Sequence, residues 1–235
     1  MLSIFKRIGF CLKVTWQLGT VFVQMLRGAW RLGKLPRPVV TIFGGHLLPH
    51  NSTYAQLAHQ LAHRLIQENI SVITGGGPGI MRAAGCGATH QIREGITARS
   101  IGITVEGLGE KMAQECAQEY FIMPEFFARK WLMINYSVAF AVFPGGFGTL
   151  DEFAEVITLI HTKKLPGVPV VLFGKDYWKH FIEWMHKSAL HEGLITNDDI
   201  NLIHVTDDID EALLLLKERC QTCNMPVEKL KKRDE

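Results

Sequence analysis

The sequence predicts an α/β protein with a doubly wound, mostly parallel sheet, preceded by an amphipathic helical arm. After Pro38, short β-branched runs alternate with amphipathic stretches, the pattern of parallel strands joined by crossover helices. The 235 residues are 47% hydrophobic and include 22 glycines and 9 prolines, which suits one globular domain with an appendage. Three of the predicted strands lead directly into glycine-rich turns.

The predicted elements follow from the change between strand-like runs and helical periodicity. We expect strands at 39–43, 71–74, 100–105, 120–123, 138–143, 168–173 and 202–205. We expect helices at 54–68, 80–91, 110–118, 126–136, 150–162, 177–189 and 209–219. Ligands of open parallel sheets bind at the carboxyl ends of the strands, so the glycine-rich turns are the first candidates for a site.

Composition divides the chain into a basic helical arm at 1–37, an α/β domain at 38–220 and a charged tail at 221–235. Pro36 and Pro38 mark the first boundary, because proline removes a backbone donor and disfavours helix at the residue before it. No Asp or Glu precedes Glu68, whereas this part of the chain has eight basic residues: Lys6, Arg7, Lys13, Arg27, Arg31, Lys34, Arg37 and Arg64.

The arm is predicted to be a surface helix. Its apolar run between Lys13 and Arg27 is about 13 residues long, whereas a bilayer-spanning helix needs about 20. Polar residues at steps of three and four form one narrow stripe: Lys13, Gln17, Thr20, Gln24, Arg27 and Arg31. The broad apolar face is covered by the protein body or a second subunit, or by an anionic membrane surface, which suits Trp16 and Trp30. A cleaved signal or transit peptide is a weaker third option, because no small-residue cleavage site follows the apolar stretch.

Charge and cysteine content exclude several classes of protein. The net charge of +2 gives no reason to expect a nucleic-acid polymer as partner. The five cysteines are scattered and odd in number, so we expect free thiols in a cytoplasmic compartment. If the arm binds lipid, we expect peripheral contact with the inner membrane face. His59 and His63 lack a third ligand nearby, so we expect no metal.

The first informative turn is the segment from Thr74 to Met81, TGGGPGIM, which follows an apolar strand and opens a helix. Glycine lets backbone amides approach a ligand, and a helix N-terminus favours a phosphate. Gly76, Gly77 and Gly79 are therefore predicted to line a phosphate site. A tight strand-to-helix turn without a ligand is the alternative.

The second informative segment, Val142 to Glu152, combines a buried strand, a glycine-rich turn and two carboxylates. Glu152 is a candidate catalytic group. Thr149 and Glu152 also match a capping box, in which each side chain satisfies a backbone amide at a helix start. The segment alone supports both interpretations.

Longer motifs resemble one family. FFARKWLM at 126–133 and AFAVFPGGFGTLDE at 139–152 resemble the paired RKxxM and PGGxGTxxE motifs of the lonely-guy (LOG) family. GGGPGIMRAAGCGA at 75–88 resembles its upstream glycine loop, and PVVLFGKDYW at 169–178 its later strand. The resemblance covers nearly the whole chain after Pro38 and implies a Rossmann-like fold.

The resemblance implies an enzyme, an N-glycosidase that converts a nucleoside 5′-monophosphate of purine, pyrimidine or cytokinin type to free base and ribose 5-phosphate, without a cofactor. It implies Arg129 and Glu152 as the catalytic pair, which suits the chemistry because a carboxylate can stabilise the positive charge that develops on the sugar. Substrate-binding residues would be Gly76, Gly77, Gly79, Lys130, Gly145, Gly146, Gly148 and Thr149. It also implies a homodimer, with the helices bearing the pair near the subunit contact.

Two turns depart from the family's pattern and add weaker candidates. His46 lies in the turn GGHLLPHN after the first strand, and Glu106 lies in TVEGLG after the third. The alternative function is a nucleotide-binding or molybdenum-cofactor-carrier-like protein without turnover. Arg129 and Glu152 discriminate between the two, because a carrier has no need of this pair.

Overall fold

The computed structural model describes residues 2–90, 92–107 and 116–223. Within these ranges the chain forms a seven-stranded sheet in the order β4-β3-β2-β1-β5-β6-β7, and all six strand pairs are parallel. The strands are β1 Val39–Phe43, β2 Ser71–Thr74, β3 Ser100–Val105, β4 Glu119–Met123, β5 Ala139–Val142, β6 Val170–Phe173 and β7 Ile203–Thr206. The predicted parallel α/β sheet is confirmed.

Helices cover both faces of the sheet. They are α1 Leu2–Leu32, α2 Thr53–Gln67, α3 Ile80–Thr89, α4 Phe126–Asn135, α5 Phe147–His161, α6 Lys175–Trp184, α7 Asn197–Asn201 and α8 Ile209–Cys223. A π-helical segment, Met185–Leu190, continues α6. The predicted helix at 110–118 lies mostly outside the described residues, and its last three residues, 116–118, are not helical.

Two apolar layers hold the helices on the sheet. One layer packs α2, α3 and α8 against one face of the strands, and the other packs α1, α4, α5 and α6 against the opposite face. Every residue of β1, β2, β3, β5 and β6 is buried. This explains the continuous apolar runs, because parallel strands covered on both faces do not alternate in polarity.

The central strand β1 lies between β2 and β5. From β1 the chain builds β2, β3 and β4 outward on one side and then returns to place β5 on the other side. This reversal is the topological switch point, where open α/β sheets bind ligands. The turns that follow β1, β2 and β5 all lie at this edge, and they are the three glycine-rich turns.

The arm forms one helix, and only its second half docks on the body. Val21, Gly28 and Leu32 are buried. A Cβ built on Gly28 would lie 2.7 Å from Leu132 Cδ1 of α4, and Arg31 Nη1 donates a hydrogen bond to the Tyr120 carbonyl at 3.2 Å. From residue 4 to residue 20 every side chain is exposed except the partly buried Val14. In the described part of the chain no helix has the length and apolarity to cross a bilayer.

The expectation of free thiols is wrong for two cysteines. Cys86 of α3 and Cys116, which precedes β4, form a disulfide across 30 residues. The fold places them together because α3 packs closely on this segment: a Cβ on Gly85 would lie 2.4 Å from the Cys116 carbonyl oxygen. Cys11 remains an exposed thiol and Cys220 a buried one.

Candidate active site

The three glycine-rich turns meet as one surface of backbone atoms. The Gly45 amide after β1 donates to the Pro144 carbonyl after β5 at 3.0 Å, and the Ile80 amide donates to the Gly45 carbonyl at 3.1 Å. A Cβ on Gly79 would lie 2.3 Å from Gly45 O, and one on Gly145 would lie 2.7 Å from Gly45 N. The turns therefore pack at distances that leave no room for side chains.

The turn after β2 also requires glycine for its backbone conformation. Gly76 has φ +64° and Gly79 has φ +65°, in the left-handed region that other residues rarely adopt. Gly79 is the N-cap of α3, which begins at Ile80. The amides of the first turn of α3 therefore lie at the switch point, where a helix N-terminus favours an anion.

The turn after β5 differs from the predicted capping box. Gly146 is the N-cap, and α5 begins at Phe147, three residues before the predicted start. Thr149 is buried in the first turn of α5. A Cβ built on Gly145 would lie 2.2 Å from the Thr149 hydroxyl oxygen, so the two residues are in close contact. Glu152 is the sixth residue of α5, too far along the helix to cap its start. The capping interpretation is wrong because the glycine turn starts the helix earlier.

Arg129 of α4 and Glu152 of α5 form a buried ion pair. Arg129 Nη2 lies 3.0 Å from Glu152 Oε1, and each side chain is 10% exposed. The guanidinium also contacts the turn after β2, since a Cβ on Gly75 would lie 2.1 Å from Nη2. The pair therefore joins α4 to α5 and lies against the turn after β2, at the switch point.

The environment of the pair alters the proton affinity of Glu152. Burial raises the pKa of this carboxyl to about 7, although the positive charge of Arg129 opposes the increase. A pKa close to neutrality suits a group that accepts or donates a proton during a reaction. Among the described residues no atom accepts a hydrogen bond from Arg129 Nε, which is buried.

Lys130 is held by carboxylates of α5. Its Nζ lies 2.8 Å from Asp151 Oδ2 and 2.8 Å from Glu155 Oε2. Burial acts to lower the pKa of Lys130, but the hydrogen bonds that its ammonium donates to these two carboxylates, and their negative charges, outweigh burial and raise the pKa. Lys130 thus neutralises acidic groups of α5 beside Glu152. Its predicted contact with the substrate stays a prediction.

The remaining predicted residues fall into two groups. Gly76, Gly77 and Gly79 belong to the turn after β2, and Gly145 and Gly146 to the turn after β5, as predicted. Gly148 and Thr149 lie in the first turn of α5. A Cβ on Gly146 or Gly148 would meet open space, so backbone at the start of α5 borders on solvent. Glu106 is exposed after β3, and its amide donates to the Met123 carbonyl at 3.0 Å.

His46 is exposed beside Gly79 and lines a cavity of about 660 Å³ between α2 and α3. His50, His59 and Arg82 also line this cavity, whereas Arg129 and Glu152 do not. The cavity lies among helices of the layer that packs on the opposite face of the sheet from α4 and α5. The predicted contact of His46 with the substrate stays a prediction.

Three contacts at the site were not predicted. Gly75 contacts the Arg129 guanidinium, Gly45 joins the turns after β2 and β5, and the Tyr177 hydroxyl of α6 donates to the Gly145 carbonyl. Gly75 directly follows β2, and Gly45 is the second residue after β1. Their position just after a strand was the feature of the sequence that could have identified them as site residues. Tyr177 had no comparable signal, because its contact depends on β6 lying beside β5.

Comparison with known proteins identifies relatives over most of the chain. The family model described as "Possible lysine decarboxylase" matches residues 81–216. The chain is 31% identical over 192 residues to the cytokinin riboside 5′-monophosphate phosphoribohydrolase LOG2 of Arabidopsis thaliana, covering 76% of this chain and 82% of that protein. It is 27% identical over 181 residues to the enzyme of the same name from Rhodococcoides fascians, covering 76% and 88%.

Solved structures with this fold include proteins of another kind. The molybdenum cofactor binding protein of Rippkaea orientalis superposes with a TM-score of 0.55 at 21% identity, covering 77% of this chain and 96% of that one. The molybdenum cofactor carrier protein of Chlamydomonas reinhardtii gives 0.54 at 20% identity, covering 77% and 97%. At such identities the likeness establishes the shared fold alone.

Proposed function

Because the chain belongs to the lonely-guy (LOG) family, whose model is described as "Possible lysine decarboxylase", we propose that it hydrolyses the N-glycosidic bond of a nucleoside 5′-monophosphate. The products are the free base and ribose 5-phosphate. Relatives named as phosphoribohydrolases support this proposal. The observation that carries it is the buried pair of Arg129 and Glu152, with a Glu152 pKa of about 7, beneath the three glycine turns.

The environment of Glu152 suits the role proposed for it, which is to stabilise positive charge on the sugar and to accept a proton from water. As the bond between C1′ and the base nitrogen breaks, positive charge develops on the ribose, and the oxygen of a water molecule bonds to C1′. An ionised Glu152 stabilises that charge and accepts one proton of the attacking water. The departing base takes up a proton from solvent and Glu152 returns its proton to solvent, so that one water molecule is consumed and the carboxylate is regenerated. A pKa near neutrality supports such transfer at physiological pH.

Arg129 holds Glu152 in place and offers the substrate a further donor. Its Nη2 is bonded to Glu152, while no acceptor for Nε is present among the described residues. A guanidinium donor in a buried site strongly favours an anionic partner. Either the substrate phosphate or the negative charge that develops on the departing base fits this requirement.

The glycine turns are proposed to bind the 5′-phosphate. The helices α3 and α5 both have a glycine N-cap and both begin at the switch point. Their N-terminal amides and helix dipoles therefore favour an anion at the same edge. Contacts are expected from backbone atoms of Gly145, Gly146, Gly148 and Thr149 on one side, and of Gly76, Gly77 and Gly79 on the other.

The test is incubation of the protein with purine, pyrimidine and cytokinin nucleoside 5′-monophosphates, with free base measured by chromatography. We expect base release from at least one monophosphate, and none from the matched nucleoside that lacks the phosphate. If all monophosphates stay intact while the protein binds one of them, the carrier alternative replaces this proposal. The same panel identifies the preferred base.

We also propose that the site lies beside a homodimer interface. Four aromatic side chains on α4 and at the start of α5 are 47% to 91% exposed: Phe126, Phe127, Trp131 and Phe147. Clustered aromatic groups of this size favour burial against a partner. Light scattering should give a dimer mass for the wild type and a lower mass for Trp131→Ser. The control is Trp184→Ser, since Trp184 is exposed to a similar extent, 52% against 47%. A monomeric wild type would contradict this proposal.

A further inference from the structure

The arm helix α1 has an apolar stripe that the body of the protein leaves exposed. Its members recur at helical spacing, interrupted only at Gly19: Phe5, Ile8, Leu12, Trp16, Val23, Leu26 and Trp30. Their exposed fractions run from 46% at Val23 to 76% at Trp16. At about 1.5 Å per residue the stripe is roughly 38 Å long, so it is far larger than a scatter of single exposed residues.

The docked side of α1 lies opposite this stripe. Val21, Gly28 and Leu32 are the buried residues of the helix. At 3.6 residues per turn, their mean direction is about 180° from that of the exposed stripe. Docking on β4 and α4 therefore directs the stripe away from the body along the whole length of the helix.

The charge of the arm favours one kind of cover for the stripe. Five basic residues lie on α1, and the first 67 residues contain no acidic residue that could balance them. A second copy of the arm would bring the same positive charges together, with no Glu or Asp to pair across the contact. An anionic lipid surface instead complements this charge, and Trp16 and Trp30 have the amphipathic rings that suit a membrane interface.

We propose that α1 binds an anionic phospholipid surface and lies in its plane. The exposed stripe enters the boundary between headgroups and acyl chains, and the basic side chains, such as Lys6 and Lys13, lie among the headgroup phosphates. The docked side of the helix keeps the catalytic domain attached on the side away from the lipid. This interaction is independent of the proposed hydrolysis, because the stripe lies exposed on α1, whereas Arg129 and Glu152 are buried on α4 and α5.

The test is sedimentation of the full chain with vesicles of phosphatidylcholine alone and of phosphatidylcholine with phosphatidylserine. We expect binding to be at least about tenfold stronger with phosphatidylserine and to weaken with added salt. The variant Leu12→Ser/Trp16→Ser should lose at least about tenfold in binding. The matched control is Gln17→Ser/Thr20→Ser, which changes exposed positions on the polar side of the same turns and should bind as the wild type does.

All four altered side chains are exposed, so thermal unfolding of the variants should match that of the wild type. Equal sedimentation of the stripe variant and its control would overturn the proposal, as would wild-type binding that is indifferent to phosphatidylserine. The proposal also fails if the wild type does not bind vesicles and the stripe variant has a lower mass in light scattering. In that case a second copy of the chain covers the stripe.

Discussion

Replacing Glu152 by glutamine should stabilise the fold at alkaline pH. Glutamine has the same shape and keeps an oxygen that accepts from Arg129 Nη2, but it has no charge to bury. In the wild type, burial raises the pKa of the carboxyl from its usual 4.5 to about 7. The unfolded chain therefore loses this proton at lower pH than the folded protein, so ionisation of Glu152 opposes folding.

The size of the effect follows from the two pKa values. Below pH 4.5 the carboxyl is protonated in both states and has no effect, and the full destabilisation develops as the pH rises through 7. At about 1.4 kcal/mol per pKa unit, the difference amounts to about 3 kcal/mol. For a chain of this size that corresponds to a change in Tm on the order of 10 °C.

The assay is urea unfolding of both proteins at about pH 5 and about pH 8. The free energy of unfolding of Glu152→Gln should exceed that of the wild type by about 3 kcal/mol at the higher pH and by much less at the lower pH. The control is Glu192→Gln, since that side chain is 69% exposed, and its difference from the wild type should stay small at both pH values. A Glu152→Gln difference that does not grow with pH would refute this reasoning.

Two further variants test the packing around the site. Gly75→Ala should reduce base release at least about tenfold with little change in Tm, because its Cβ would displace the end of the flexible Arg129 side chain. The control is Gly167→Ala, since a Cβ at Gly167 would meet open space. Equal activity of the two variants would count against the Arg129 contact. Cys86→Ser should lower the free energy of unfolding by about 3–4 kcal/mol, since the disulfide closes a loop of 30 residues. Reductant should lower the Tm of the wild type but not of Cys86→Ser, and a wild-type Tm unaffected by complete reduction would contradict the disulfide's contribution.

Strand positions were the most predictable part of the fold. The bounds of β1, β2 and β3 agree with the prediction, because buried parallel strands are short, largely apolar and β-branched runs, and glycine directly follows β1 and β2. Strand order was not predictable in the same way, since the neighbours of β1 are set by packing between distant segments. Contacts that depend on that order, such as those of Gly75 and Tyr177, therefore appeared only in the structure.

Local patterns misled the prediction in two places. The Thr149 and Glu152 spacing matches a capping box, but Gly146 starts α5 earlier and leaves Glu152 on a buried side of the helix. Cys86 and Cys116 looked like scattered thiols because their pairing depends on how α3 packs on the segment that precedes β4. In both cases the neighbours in space, rather than those in the chain, determine the role of the residue.

The central claim, that Glu152 beside Arg129 is the group that breaks the N-glycosidic bond, is tested most directly by measuring base release and substrate binding for Glu152→Gln. The substrate is the monophosphate that the wild type cleaves. The glycine turns and Arg129 remain in the variant, so its Kd should stay within a few-fold of the wild-type value, while base release falls at least about hundredfold. Base release at the wild-type rate from a folded Glu152→Gln protein would contradict the account.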